Sequence, residues 1–257
     1  MVSGSLTDSR DGQTYMTVSI GTQTWTAESL NYAYTGVLYN YDGYTSDSTS
    51  WCYDNAPANC AKYGRLYTWA AAMDSVGEWS TNGKGCGDGK KCSVASAGSA
   101  TLVRGVCPKG WHLPSYDEWD ALFTAVGGSS TAGTKLKSAT GWAWDDDISG
   151  NGTDTFGFSA LPAGDRDNNG GYKYEGNSAY FWSSPDGGSN YASCMYLYSE
   201  IGSARLGRTA RTTGFLFVVS RTRAQAEGLP RESHQRTPVA GYTNSTTSCL
   251  PRAWASL

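Results

Sequence analysis

The chain has 257 residues, of which 39% are hydrophobic and only 17% charged, and its formal net charge is −3. That balance excludes a coiled coil and a highly charged disordered chain, and it lacks the basic footprint of a nucleic-acid binder. No apolar run reaches the roughly 18 residues that a membrane-spanning helix needs, so no transmembrane segment is expected.

Abundant Gly (32), Tyr (17) and Trp (10) point to a loop-rich, aromatic-rich globular domain. Polar sequence follows Met1-Val2 directly, so an exported form would have lost its leader. Charge is uneven. Residues 215–257 hold five Arg, two Glu and no Lys, a local +3, which leaves −6 for residues 1–214.

In chain order, residues 11–30 predict two short strands around a Gly21-Thr22 turn, with Tyr15, Val18, Ile20 and Trp25 inward. Residues 31–62 show no sustained periodicity and are expected to be loop. Leu66, Trp69, Ala70 and Met73 fall at helical spacing, which predicts a helix over 63–76. Pro114-Ser115 opens a second helix. Ser115 and Glu118 form a capping box, and Trp119, Leu122, Phe123 and Val126 make the apolar stripe. Gly127-Gly128 ends it. Later, 191–199 and 203–212 predict a hairpin around Ile201-Gly202. Early helices and late strands imply an α+β fold.

Seven cysteines are present. Cys52 with Cys60, and Cys86 with Cys92, sit close together in loop-like surroundings. No CxxC occurs, so disulfides in an oxidising compartment are expected rather than a zinc site.

His112, just before the helix cap, predicts a packed histidine rather than a general base, because no second native histidine or nucleophile elbow accompanies it. Asp117, Glu118 and Asp120 suit the helix N-terminus. Residues 165–170 start like a calcium loop, with Asp165, Asp167 and Asn169, but Gly176 stands where the closing Glu belongs. Asp145, Asp146, Asp147 and Asp154 are loop acids first and metal ligands second.

Tyr32, Tyr34, Tyr39, Tyr41, Tyr44 and Trp51 form an early aromatic group in polar surroundings. Tyr172, Tyr174, Tyr191, Tyr196 and Tyr198, with Arg205, form a late one that we take as a candidate ligand surface. The plainer expectation is that half of these rings pack the core.

The segments "DGQTYMTVSIGTQTW", "YGRLYTWAAAM", "GVCPKGWHLPSYDEWDAL", "GTKLKSATGW", "TDTFGFSALPAG" and "YFWSS" together resemble the Fibrobacter succinogenes major paralogous domain, from about residue 8 to about 214. The resemblance implies a C-type-lectin-like fold with two early helices and a mostly antiparallel, loop-rich β region. It also implies a secreted or surface-displayed protein of a fibre-degrading bacterium. The helix start is similar to that of formylglycine-generating-enzyme domains.

Family members usually close with Gly-Phe-Ser-Val-Arg-Cys-Val-Lys-Asp, whereas Gly214-Phe215 here runs into "LFVVSRTR". One deleted base in a suitable coding sequence converts the first ending into the second. We therefore divide the chain into a domain at 1–215 and an out-of-frame read-through tail at 216–257. By resemblance Cys107 would bond a cysteine of the last strand, where Val219 now stands. Cys107 would then be free or paired with Cys194. The shifted strand would keep Phe215, Phe217 and Val219 on its inner face and gain Leu216 and Val218 outside.

The expected function is a noncatalytic domain that binds carbohydrate or a surface protein. The alternatives are a plant-polysaccharide hydrolase with a carboxylate pair, and an oxidase for which only Cys194 could serve. No cofactor is required, with calcium the one candidate. The parent gene, compared with its closest relatives, is expected to lack one base near codon 216; an in-frame alignment through residue 257 would refute the read-through origin.

Overall fold

The computed structural model describes residues 3–42, 44–46, 49–87, 92, 102–145, 148–184 and 190–222. The chain opens with β1 (Ser3–Thr7), β2 (Thr14–Ile20) and β3 (Gln23–Thr26), followed by the short ribbon of β4 (Tyr39–Tyr41) and β5 (Tyr44–Ser46). β6 (Ser50–Trp51) pairs with β7 (Leu66–Tyr67) across helix α1 (Pro57–Tyr63). Helices α2 (Trp69–Ala72), α3 (Tyr116–Ala125) and α4 (Ser129–Leu136) come next. The rest is β: β8 (Trp144–Asp145), β9 (Ile148–Ser149), β10 (Ala163–Arg166), β11 (Tyr172–Glu175), β12 (Ser178–Trp182), β13 (Tyr191–Tyr198), β14 (Ala204–Ala210) and β15 (Ser220–Thr222). This is an α+β fold with mostly antiparallel pairing.

Two sheets dominate. One runs β1-β2-β3-β15 and the other β11-β10-β12-β13-β14. The hairpin of residues 191–212 is present, with Cys194 opposite Gly207 and Tyr196 opposite Arg205. Side chains alternate across each strand, so the larger sheet feeds two cores. Tyr180, Trp182 and Tyr196 enter one with Trp69, Met73 and Trp111. Phe181, Met195 and Leu197 enter the other with Trp119, Leu122 and Phe123 of α3. The first hairpin serves both: Tyr15 packs in the first core and Val18, Ile20 and Trp25 in the second.

Helix α3 has the expected capping box, formed reciprocally by Ser115 and Glu118. It ends at Gly127 and Gly128, which adopt φ of 98° and 100°, a left-handed region that glycine enters at little cost. Helix α4 follows at once. Its short apolar set of Ala132 and Leu136 gave no stripe to read in the sequence.

The expected helix over 63–76 is not one element. Gly64, at φ 79°, stops α1, Leu66 and Tyr67 become a strand, and only Trp69–Ala72 are helical. Backbone pairing wins over helical spacing here. Tyr67 donates its amide to Phe215 and accepts Phe215's amide in return. Thr68 then caps α2 through its side chain. The stretch read as loop, 31–62, contains α1, which starts on Pro57 and carries Cys60.

The segment after Gly214 is interior. Phe215, Phe217 and Val219 lie in the first core, while Leu216 and Val218 lie in the second. Leu216 is therefore not on an outer surface: it is fully buried, and Val218 nearly so. The fold continues to Thr222, past the boundary drawn at residue 215 from the sequence. Residues 223–257 lie outside the described residues.

Cys52–Cys60 and Cys86–Cys92 form disulfides. Cys194 is also disulfide-bonded. Cys107 is free and buried, in the same core as Val219. Burial pushes its thiol well above the usual range, against the pull of Arg10 and Arg104. In the native protein Cys107 is expected to resist thiol reagents at pH 8 and to react once, promptly, on unfolding in guanidinium. Fast labelling before unfolding would contradict this.

Candidate functional site

His112, Glu118 and Ser220 come together in the interior and invite comparison with a catalytic triad. His112 Nε2 lies 2.7 Å from Glu118 Oε1 and 3.1 Å from Ser220 Oγ. A triad needs the acid on one ring nitrogen and the nucleophile on the other. Here both partners share Nε2, and Nδ1 has no partner among the described residues. All three residues are buried.

Burial would raise the Glu118 carboxyl, but hydrogen bonds from His112 and Ser115 outweigh it and hold the group below its usual value. The other carboxylate oxygen accepts the Ser115 amide. The cluster therefore ties the cap of α3 to the last strand, which matches the packed role expected for His112.

The late tyrosines separate into distinct places. Tyr196 is buried opposite Tyr180 on one side and exposed Arg205 on the other. Tyr198 joins them, 5.1 Å from Tyr196 and 6.1 Å from Tyr180 between ring centroids. Tyr191 is exposed at the opposite end of β13, roughly 23 Å away along the strand at 3.3 Å per residue. Tyr172 leans on Tyr53 and donates to Asn55 Oδ1. Tyr174 is exposed with φ 64°. Of the six candidate ligand residues, Tyr196, Tyr198 and Arg205 come together on β13–β14, and Tyr172 and Tyr174 share β11. In the early group, Tyr34, Tyr39 and Trp51 are buried and Tyr41 is exposed.

The loop after β10 is built as an Asx turn. Asp167 accepts the amides of Asn169 and Gly171, and Lys173 Nζ lies 2.6 Å from its carboxylate. The Asn169 side-chain nitrogen also faces this carboxylate. Asp165 points into the interior instead, 1% exposed, with Oδ1 unpartnered among the described residues. Burial, reinforced by Asp167 and opposed by Lys173, pushes its carboxyl up to about 7. With Asp167 neutralised by a lysine and Asp165 half-protonated near neutrality, this loop presents little free charge to a cation. No group of three or more His, Cys, Asp or Glu among the described residues could hold a metal. Asp154 accepts the Ser159 amide and hydroxyl; Asp146 and Asp147 lie outside the described residues.

Two clefts among those the described residues form stand out. The larger, about 580 Å³, lies between the start of β2, the loop after β3, the end of α1 and residues 158–161. Gln13, Asn31, Lys62 and Ser159 give it polar groups, and Tyr15, Phe158 and Leu161 give it apolar walls. Its one carboxylate, Glu28, accepts the Met16 amide at 2.8 Å. The smaller, about 350 Å³, lies between residues 37–40, the end of α2 and Gly85–Gly87, and no carboxylate among the described residues lines it. Neither cleft includes a residue of the late tyrosine set, and sequence pattern could not have found them, because their walls come from segments far apart in the chain.

The model of the Fibrobacter succinogenes major domain matches residues 18–226. The chain belongs to this family. The match passes residue 215 and includes the buried segment up to Thr222. No curated protein and no solved structure matches the chain. No described helix of this Fibrobacter major domain is long and apolar enough to cross a membrane. The Cys52–Cys60 and Cys86–Cys92 disulfides are compatible with an oxidising, extracellular setting.

Asp165 makes a pH prediction. Its carboxyl titrates higher in the folded than in the unfolded chain, so the folded state holds the extra proton between about pH 4 and 7 and loses stability as pH rises through that window. Asp165→Asn is expected to match the parent near pH 4 and to exceed it at pH 8, by at most about 4 kcal/mol. Urea unfolding at both pH values checks this, and equal pH slopes in the two proteins would count against it.

Proposed function

We propose that this Fibrobacter major domain is a noncatalytic ligand-binding module with a C-type-lectin-like arrangement, secreted or displayed on a bacterial surface, that binds plant-type carbohydrate. The observation that carries the reading is the acid content of the two clefts. A glycosidase sets two carboxylates about 5–10 Å apart across its cleft. Among the described residues the larger cleft has one, held by a backbone amide, and the smaller has none. The hydrogen-bonding groups and apolar walls of the larger cleft suit recognition of a hydroxylated chain without chemistry on it.

The remaining chemistry-bearing groups support the same reading. His112 and Glu118 are spent on each other, and an oxidase would need a reactive thiol. Cys194 is disulfide-bonded and Cys107 is sealed in the core. Exposed Arg205 and half-buried Tyr198, backed by buried Tyr196, offer a second recognition patch on the sheet, with Tyr172, Tyr174 and Tyr191 as separate contacts. Calcium at Asp165, Asp167 and Asn169 would have to displace Lys173 first. A surface protein is the other partner class that the exposed tyrosines suit.

Purified protein is expected to co-sediment with insoluble cellulose or xylan and to release no sugar from soluble glucan or xylan. Turnover that disappears on a single Asp or Glu substitution would overturn the reading.

A further inference from the structure

Backbone strain concentrates on one surface of the molecule. Among the described residues, seven besides glycine have φ between 44° and 64°, and five of these are Asp or Asn, which tolerate that region. The other two are Ser159, at 54°, and Tyr174, at 64°. Ser159 lines the larger cleft. Tyr174 lies on β11, the edge strand of the larger sheet. By the β10–β11 register it stands opposite Gly164, where a Cβ would collide with the Lys173 carbonyl. Left-handed backbone at so bulky a residue is costly, and such strain gathers where ligands are held.

The two places are joined. Tyr63 of the cleft donates its hydroxyl to Glu175 Oε1 at 2.7 Å, and Lys62 Nζ lies 3.7 Å from the same oxygen. Glu175 is the last residue of β11, so the α1 wall of the cleft meets the strand that carries Tyr172 and Tyr174. From Glu175 to Tyr172 that strand runs roughly 10 Å. At its far end Tyr172 leans on Tyr53, 5.2 Å between ring centroids, and donates to Asn55 Oδ1 at 2.7 Å. Tyr174 is exposed and Tyr172 half-buried, so solvent reaches both residues.

We infer that the larger cleft and the β11 tyrosines form one continuous site for several units of a neutral polysaccharide chain, one stretch lying in the cleft and the next across Tyr174 and Tyr172. The inference rests on the carbohydrate-binding reading above and gives it a ligand length and a charge class. Length follows from size. About 580 Å³ already lies within the range of ligand pockets, and the strand carries the contact beyond it. Charge follows from the ionisable groups. Lys62 is balanced by Glu175 and Lys173 by Asp167, while Glu28 accepts the Met16 amide. No exposed cation among the described residues of this surface is left in excess to hold an acidic polymer. Tyrosines beside amide and hydroxyl groups suit a hydroxylated chain with apolar ring faces.

The test uses the full chain with xylo- and cello-oligosaccharides of increasing length, and with polygalacturonate and chitosan as charged probes, read by isothermal titration calorimetry. For at least one neutral series, affinity is expected to climb with length until cleft and tyrosines are both covered. Ala61→Trp, at an exposed helical position on the cleft wall, should abolish binding of every length, and Ala61→Leu replaces it if the tryptophan variant does not fold. Tyr172→Ala/Tyr174→Ala should weaken the long oligosaccharides roughly tenfold and leave the shortest that bind unchanged. Tyr174→Gly should also weaken the long ones, yet melt no lower than the parent without ligand, because glycine adopts φ 64° at little cost. A clear fall in its melting temperature would assign the ring to packing and remove it from the site.

Long oligosaccharides that bind the double tyrosine variant at full strength, or affinity that does not grow with length, would confine the ligand to the cleft. Either result overturns the continuous site while leaving the proposed function intact. Binding that survives Ala61→Trp at full strength would place the chain elsewhere and do the same, as would binding of insoluble polysaccharide but of no oligosaccharide. Tighter binding of polygalacturonate or chitosan than of any neutral chain would overturn the charge class. Failure of every oligosaccharide and of insoluble cellulose and xylan would overturn the proposed function as well.

Discussion

The extended segment from Gly214 to Ser220 is buried along its whole length, and the rest of the architecture depends on it. Its residues alternate between the two cores, Phe215, Phe217 and Val219 into one and Leu216 and Val218 into the other. Phe215 stacks on Tyr180 at 4.7 Å and sits 4.6 Å from Trp182. Burying such side chains contributes roughly 1.5–3 kcal/mol each before conformational entropy is counted. The backbone is used as fully: Gly214 exchanges bonds with Arg166, Phe215 with Tyr67 and Ser220 with His112, while Phe217 and Val219 accept the amides of Leu30 and Thr26. One extended segment thereby joins the small sheet, the large sheet and the entry to α3. Elements made early in the chain can only close around it once the late segment arrives, which gives the fold a long-range character.

The interior charges serve that closure. Asp8 and Arg10 pair near the first core, and Arg10 lies 4.0 Å from the centroid of the Tyr32 ring. Lys137 donates to three carbonyls at the β13–β14 turn, and burial brings its ammonium down to about 8. Arg211 is stacked on Trp69 and Arg166 lies 3.8 Å from the centroid of the Trp51 ring. A buried charge must be paired or hydrogen-bonded, and Arg10, Lys137 and Arg211 meet that demand with carboxylate, backbone and aromatic partners. Little titratable chemistry is then left for the clefts. That scarcity is the ground on which recognition is proposed for them.

Local features were legible in the sequence. The capping box of α3, the Gly127-Gly128 stop, the first hairpin and the 191–210 hairpin each rest on contacts within a few residues of one another, and so did the two short-range disulfides. The helix expected over 63–76 was misread because its spacing is truly helical; what breaks it is pairing of Tyr67 with Phe215, nearly 150 positions later. The candidate ligand tyrosines were grouped by composition, and the register of β13 sets Tyr191 and Tyr198 at opposite ends of one strand.

The sequence by itself determined the α+β class, the family, the helix cap and the alternation of the final strand, because each is written in neighbouring side chains. Only the tertiary structure decided that both faces of that segment are interior, that His112 shares one nitrogen between two partners, and that segments far apart in the chain wall each cleft. Those outcomes depend on which surfaces of distant segments exclude water together, and no local pattern encodes that.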